Sequence, residues 1–509
     1  MRVRWILAWG AMACAHAGHR VVVIPAHSGA FPEGFLWGAA TAGFQVDMGC
    51  PTLPDAQCLD EASDWYQWVT DPRILGRADL HVTGEDVRRG PGMWELFEED
   101  VARMEADGLR SLRLSLEWSR LFPRDASGAT TPEALDALAD PAAVARYHAH
   151  FAALRAAGLR PLVTVNHYTL PRWVHDGVAC HPDPEACAAS GWVDGERIVP
   201  LIAAYAGWVG REFGAEVDLW ATLNEPFATA LSGYVLPGED RSAPPGRMLQ
   251  GRATVAVLQH QIEGHAAMYR ALHAADTVDA DGDGDPAQVG IVLNMVDIEP
   301  ENPVWAPDHE AVAHFDHLYH RLFLEGLAYG QWDADMDGTF DTFREDLAHT
   351  LDFLGINYYH RVVVRSIAPI APLGPSAPAF DFFPVFAPEP HPEGLARVLA
   401  RASEYALPLY VTENGTQVVE RSEEVLLEHL AFLRAAMDAG ADVRGYWYWS
   451  YVDNYEWNLG LKWRFGLYAL DPVTKARTAR PVLERYREVI ADGGLHPRKH
   501  PRRVVEHGD

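Results

Sequence analysis

Eight short apolar runs, each followed after a polar loop by a helical pattern, limit this chain more than any other feature of its sequence. The runs cover residues 35–39, 109–116, 160–166, 218–223, 289–294, 353–359, 409–412 and 446–450. Between them lie amphipathic stretches such as 94–107 and 141–157, with apolar residues at three- and four-residue spacing. Glycines at 108, 158 and 440 close several of these stretches, as C-caps do. Strand–helix alternation implies parallel strands joined by helical crossovers. Eight such units predict an α/β fold, a single (β/α)8 barrel with long loops at its C-terminal face; an open doubly wound sheet is the alternative. One pattern favours the barrel. Polar residues capable of chemistry stand at the ends of nearly all the runs: Gln45, Arg113, Asn166-His167, Asn224-Glu225, Asn294, Tyr359, Glu413 and Trp449. A barrel brings all strand ends to one mouth, whereas an open sheet strings them along an edge.

The chain has 509 residues, 48% of them hydrophobic, which suffices for one large core. Its net charge of -29, from 42 basic and 71 acidic residues, repels phosphate backbones and argues against a nucleic-acid partner. Arg2 and Arg4 precede an apolar stretch over residues 5–15, and Ala15-His16-Ala17 is a small-x-small site, so residues 1–17 read as an export signal. Residues 11–14 form an imperfect lipobox, which makes a lipid anchor on Cys14 the alternative. No later stretch has 18 or more consecutive apolar residues, so no membrane span is expected. Four cysteines remain, and local pairing of Cys50 with Cys58 and of Cys180 with Cys187 is expected because short loops cost little to close. Together these features predict a secreted or periplasmic protein, with a catalytic domain over 18–490 and a basic, solvated tail over 491–509. The proline-rich stretch 368–394 has no periodicity and reads as a long loop over the barrel mouth.

Two carboxyl groups flanking one anomeric carbon are what glycosidic-bond hydrolysis requires. Glu225, in Asn224-Glu225-Pro226, and Glu413, in Glu413-Asn414-Gly415, each follow an apolar run and precede a turn former, so each projects from a strand end. Two other segments alternate aspartates: Asp279, Asp281 and Asp283 in one, Asp333, Asp335 and Asp337 with Asp341 further on in the other. The second follows an EF-hand loop at its first positions but carries Arg344 where the bidentate glutamate belongs, so a structural Ca²⁺ outside an EF-hand is the candidate ligand, with solvated acidic turns the alternative.

At this point a family resemblance enters. Phe35-Leu36-Trp37-Gly38-Ala39-Ala40-Thr41-Ala42-Gly43-Phe44-Gln45, Leu112-Arg113-Leu114-Ser115-Leu116-Glu117-Trp118, the Asn-Glu-Pro and Glu-Asn-Gly motifs and Asp453-Asn454-Tyr455-Glu456-Trp457 occur in order. The chain resembles glycoside hydrolase family 1, the β-glucosidase/β-galactosidase family, over roughly residues 31–490, and the stretch 43–49 is closer to its archaeal branch. The resemblance implies a retaining, exo-acting β-glycosidase that needs no cofactor for catalysis. Glu413 is then the nucleophile and Glu225 the acid that becomes the base, kept protonated by repulsion between the two carboxylates. Arg113 and Tyr359 are expected to hold Glu413, Tyr358 being the other tyrosine for that role. Asn224 and Asn294 fall near the sugar 2-hydroxyl, and Gln45, His167, Trp449, Glu456 and Trp457 resemble the clamp on the sugar. A carboxylate at Glu456 implies plain hexosides rather than 6-phospho-sugars. Tyr168 departs from the pattern, since tryptophan or phenylalanine is common there, and stretch 368–394 replaces a region that supplies an aglycone-side tryptophan. A transglycosidase using the same site and a sugar-binding barrel without catalysis are the competing readings; preferred glycone, aglycone and oligomeric state stay open.

Overall fold

A computed structural model of the chain describes residues 29–367, 381–387 and 389–496. Within them, eight parallel strands close into a ring in chain order: β1 (Leu36–Ala40), β2 (Ser111–Ser115), β3 (Arg160–Asn166), β4 (Leu219–Asn224), β5 (Gln288–Asn294), β6 (Phe353–Tyr358), β7 (Leu409–Asn414) and β8 (Val443–Trp449). Closure is decided at β1, which pairs with β2 on one side and with β8 on the other, from Leu36 opposite Gly445 to Ala40 opposite Trp449. Every apolar run in the sequence is one of these strands, and the open-sheet alternative falls. The strands read as apolar runs rather than alternating patterns because one face packs under helices and the other fills the barrel interior.

The main crossover helices are α1 (Met93–Ala106), α2 (Pro141–Ala156), α3 (Gly195–Phe213), α4 (Gly251–Ala275), α5 (Ala306–Asp316, continued through a π turn and Leu322–Tyr329), α6 (Pro392–Ala402), α7 (Ser422–Asp438) and α8 (Pro481–Asp492). Local chemistry sets their ends. Asp140 caps α2 by accepting from the backbone N–H groups of Ala142 and Ala143, with Pro141 at the first helical position. Past α1, α2 and α7, Gly108, Gly158 and Gly440 adopt φ of 83°, 68° and 110°, a left-handed turn that costs glycine nothing.

Several sequence expectations shift here. Within 368–394, Phe382–Phe386 is a strand, antiparallel to Arg361–Ser366, which in turn pairs with Asp297–Pro300. The run of phenylalanine and valine supplies strand propensity, and Pro384 is tolerated because the strand lies at the sheet edge; residues 368–380 and 388 lie outside the described residues. At the C-terminus the expected tail boundary falls inside α8, and the chain stays packed beyond it, with Gly494 bridged to Ala30 and Leu495 buried. The export segment 1–17, Cys14 and residues 497–509 also lie outside the described residues. Both local disulfides form, Cys50–Cys58 and Cys180–Cys187, with Cα atoms 5.9 and 5.0 Å apart. Among the described residues no helix is long and apolar enough to cross a membrane.

Glycine inside the barrel answers to a specific neighbour. A Cβ on Gly38 would stand 2.5 Å from the Trp447 indole, which donates its N–H to Ser111 Oγ at 3.1 Å. Gly38→Ala is therefore expected to cost about 1–3 kcal/mol, read as a lower urea midpoint at unchanged slope. Gly128→Ala, with nothing within 4 Å of the added carbon, should leave the midpoint in place.

Candidate active site

The polar residues at the run ends converge at the C-terminal mouth. Arg113 is the third residue of β2, Asn224 the last of β4 and Asn294 the last of β5, while Glu413 and Asn414 end β7 and Trp449 ends β8. His167, Glu225 and Tyr359 follow β3, β4 and β6 directly; Gln45 sits on the short helix after β1, and Glu456 and Trp457 on the loop after β8. Glu225 holds φ at 43°, Tyr168 at 69° and Trp457 at 52°. Non-glycine residues rarely adopt this region, and it clusters at functional sites.

A buried guanidinium organises the centre. Arg113 is fully buried and spends its donors on four acceptors: Nε on Thr164 Oγ1 at 3.1 Å, Nη1 on Glu413 Oε1 at 2.5 Å and on the Thr412 carbonyl at 3.4 Å, and Nη2 on Asn224 Oδ1 at 2.7 Å. Tyr359, not Tyr358, donates to the other Glu413 oxygen at 2.6 Å; the Tyr358 hydroxyl turns away to the His391 carbonyl. Asn357 donates to Asn224 Oδ1 at 3.1 Å and to Glu225 Oε1 at 2.8 Å, so one amide links the surroundings of both glutamates. Tyr168 donates to Glu225 Oε2. Burial pushes the Glu413 carboxyl up to about 7; Arg113 opposes the rise, the charge of Glu225 adds to it, and Tyr359 opposes it.

Because Arg113 can only donate, it fixes the orientation of the Asn224 amide, Oδ1 inward and Nδ2 toward His167 Nε2 at 3.2 Å. That nitrogen must accept, so His167 carries its proton on Nδ1, which has no partner among the described residues. Burial, with Arg113 and Arg241 adding to it, holds His167 well below the usual imidazole range, and the ring is neutral. Gln45 donates to Glu456 Oε2 at 2.9 Å, Asn454 to the same oxygen at 2.7 Å, and Arg241 to Glu456 Oε1 at 3.3 Å. Gln45 Oε1 and Asn294 Oδ1 are buried acceptors with no partner among the described residues. Among the described residues the centre thus keeps one buried N–H donor, His167 Nδ1, and two buried carbonyl acceptors, Gln45 Oε1 and Asn294 Oδ1, without a partner.

Trp449 lies nearly parallel to the His167 ring with centroids 6.0 Å apart. Trp457 does the same, but it also stacks on Phe44 at 5.5 Å and meets Trp65 and Tyr168, so protein rings surround it. Its place is that of a buttress under His167 and Tyr168. Sequence reasoning missed Asn357 and Arg241, and it noted Tyr168 only as a departure from the pattern, without its contact to Glu225. Asn357 had a signal, a lone amide within an apolar strand. Arg241 had none, since it comes from the loop between β4 and α4. Its positive charge beside Glu456 also weakens the electrostatic exclusion of phosphate expected from that carboxylate alone.

The aspartate turns lie elsewhere. Residues 279–285 lead into β5 and residues 333–341 lie between α5 and β6, so both sit at the opposite, N-terminal face. Asp279 and Asp281 group with Asp218 rather than with Asp283, and Asp281 pairs with Arg160. Asp283 instead accepts from Gln288 at 2.7 Å. In the second turn Asp333, Asp335 and Asp337 bring carboxylate oxygens within 4.8 Å of one another, without Asp341. Asp333 already accepts from the N–H groups of Asp337 and Gly338 and meets His317.

A family model described as glycosyl hydrolase family 1 matches residues 27–495. Curated relatives include a β-galactosidase of Pyrococcus woesei, 32% identical over 91% of this chain and 98% of the relative, and one of Saccharolobus solfataricus, 31% identical over 91% and 96%. Among solved structures, the β-glycosidase of Thermosphaera aggregans superposes with a TM-score of 0.79 at 26% identity, covering 93% of this chain and 99% of that one.

Breaking the central network is expected to cost stability as well as activity. Arg113→Ala leaves Glu413 buried beside no cation and should destabilise the fold by about 3–5 kcal/mol, measured by chemical denaturation. Arg113→Lys keeps the charge but cannot span Glu413 and Asn224 together, so it should recover stability in part only.

Proposed function

The chain belongs to glycosyl hydrolase family 1 and is a glycoside hydrolase, and from that premise we propose that it is a retaining β-glycosidase acting on terminal, non-phosphorylated β-D-glycosides. Glu413 attacks the anomeric carbon and forms a glycosyl ester, while Glu225 gives its proton to the departing oxygen. The ionised Glu225 then takes a proton from water as that water attacks the same carbon, and Glu413 leaves as a carboxylate.

The unequal partners of the two carboxyls carry this assignment. Glu413 faces a full positive charge at 2.5 Å together with a phenol, whereas Glu225 accepts only from the neutral groups Asn357 and Tyr168. A charged donor stabilises an anion more than neutral donors do. Glu413 is therefore the better placed of the two to act as an anion, and Glu225 the better placed to give a proton. Titration belongs to the pair, and the rise of Glu413 to about 7 means that the dyad takes up its first proton near neutral pH.

The unpartnered buried groups around the two glutamates support the substrate class. Gln45 Oε1 and Asn294 Oδ1 need donors and His167 Nδ1 needs an acceptor. Sugar hydroxyls supply both, and a phosphate dianion supplies only acceptors. Two disulfides support an oxidising compartment for the protein.

The active state holds one proton, so kcat/KM for an aglycone that needs protonation should fall as pH rises through about 7. Glu225→Ala should lower that value by roughly 10²–10⁴-fold, and the alkaline limb should vanish with a dinitrophenyl glycoside, which departs unassisted. Glu413→Gly should lose nearly all activity and regain part of it with azide, giving the α-glycosyl azide; a β-azide, or wild-type turnover without azide, would reject Glu413 as nucleophile.

A further inference from the structure

We propose that Tyr168 is a positioning residue for proton transfer: its phenol donates to Glu225 Oε2 and holds that carboxyl in the place from which it serves the departing oxygen. The inference rests on the reading of Glu225 as acid and base.

Two observations carry it. The hydroxyl bonds Glu225 directly, and the second Glu225 oxygen is held by Asn357 at 2.8 Å, so both oxygens are spoken for. The ring has little freedom to be elsewhere. It packs edge-on against Trp457 at 5.0 Å and His167 at 5.1 Å, and its backbone lies in the left-handed region at φ 69°, which an aromatic residue enters only where the surroundings enforce it.

The direction of the effect follows from the donor's chemistry. Burial, reinforced by the charge of Glu225, holds the Tyr168 phenol well above its ordinary range, so it stays protonated throughout the working pH. The other titratable and charged groups facing Glu225 are Tyr319 from α5, Tyr359 after β6, Glu413 on β7, Glu456 after β8 and Arg241 from the loop before α4. A single variant at Tyr168 leaves all of them in place. A donor to a carboxylate favours its ionised form. Removing it lets the dyad keep its proton to higher pH.

Tyr168→Phe in the full chain tests this, with kcat/KM measured across pH for aryl β-glycosides of poor and good leaving groups. The alkaline limb for the poor leaving group is expected to move up by roughly one pH unit, with loss of rate near the wild-type optimum. The dinitrophenyl glycoside, which needs no acid, should stay within about two-fold of wild type. In a Glu225→Gln background the same substitution should change nothing further, because the partner it acts through is gone. An unmoved or lowered limb, equal losses on both leaving groups, or an additive loss in the Glu225→Gln background overturns the role of Tyr168. Full activity of Glu225→Gln on the poor leaving group would instead remove the reading of Glu225 itself, and the Tyr168 proposal with it.

Discussion

A guanidinium shut away from water is costly unless every donor finds an acceptor, and Arg113 meets that demand by reaching out from β2 to Thr164 on β3, Asn224 on β4 and Glu413 on β7. Much of the remaining site is a consequence. The charge gives Glu413 a partner that can only donate; the same fork turns the Asn224 amide, and that amide fixes the His167 tautomer. Asn357 joins the same Asn224 oxygen and carries the network on to Glu225. One cation, buried at no exposure, thus ties the ionisation of one carboxyl to the orientation of the His167 imidazole.

This arrangement works only because the sheet is closed. Arg113 and Glu413 are 300 residues apart in the chain, and they meet because β8 pairs back onto β1 and all strand ends point to one mouth. Around that mouth Glu225, Tyr168 and Trp457 are held in left-handed backbone, a local cost that the packed barrel beneath absorbs. The acidic turns of residues 279–285 and 333–341 belong to the opposite face, where helices return to strands, and their carboxylates are engaged with backbone N–H groups, Arg160 and His317. Their chemistry is separate from that of the mouth.

Particular residues show how far the sequence could be read. The strands were legible because a doubly buried strand must be apolar along its length, and Arg113, Glu225 and Glu413 stood out as polar residues at the ends of such runs. Trp457 was legible as an aromatic near the site but not as a buttress, since nothing in a linear chain says that Phe44 and Trp65 will cover its faces. The strand Phe382–Phe386 was hidden by the prolines around it, because an edge strand needs hydrogen bonds on one side only and tolerates Pro384. Arg241 was illegible. A loop arginine looks like any solvated charge until the loop folds back onto Glu456.

The sequence by itself determined the α/β class, the eight strands, and the two glutamates that stand at the ends of two of them. Those follow from local rules, namely the burial of apolar runs, the capping of helices and the chemistry of carboxyl pairs. Only the tertiary structure decided which tyrosine serves Glu413, that Asn357 and Tyr168 hold Glu225, and that Arg241 neutralises one oxygen of Glu456. The physical reason is that hydrogen-bond partnership depends on distances of about 3 Å between side chains from different strands and loops, and such distances are set by how the whole barrel closes rather than by any neighbour in the chain.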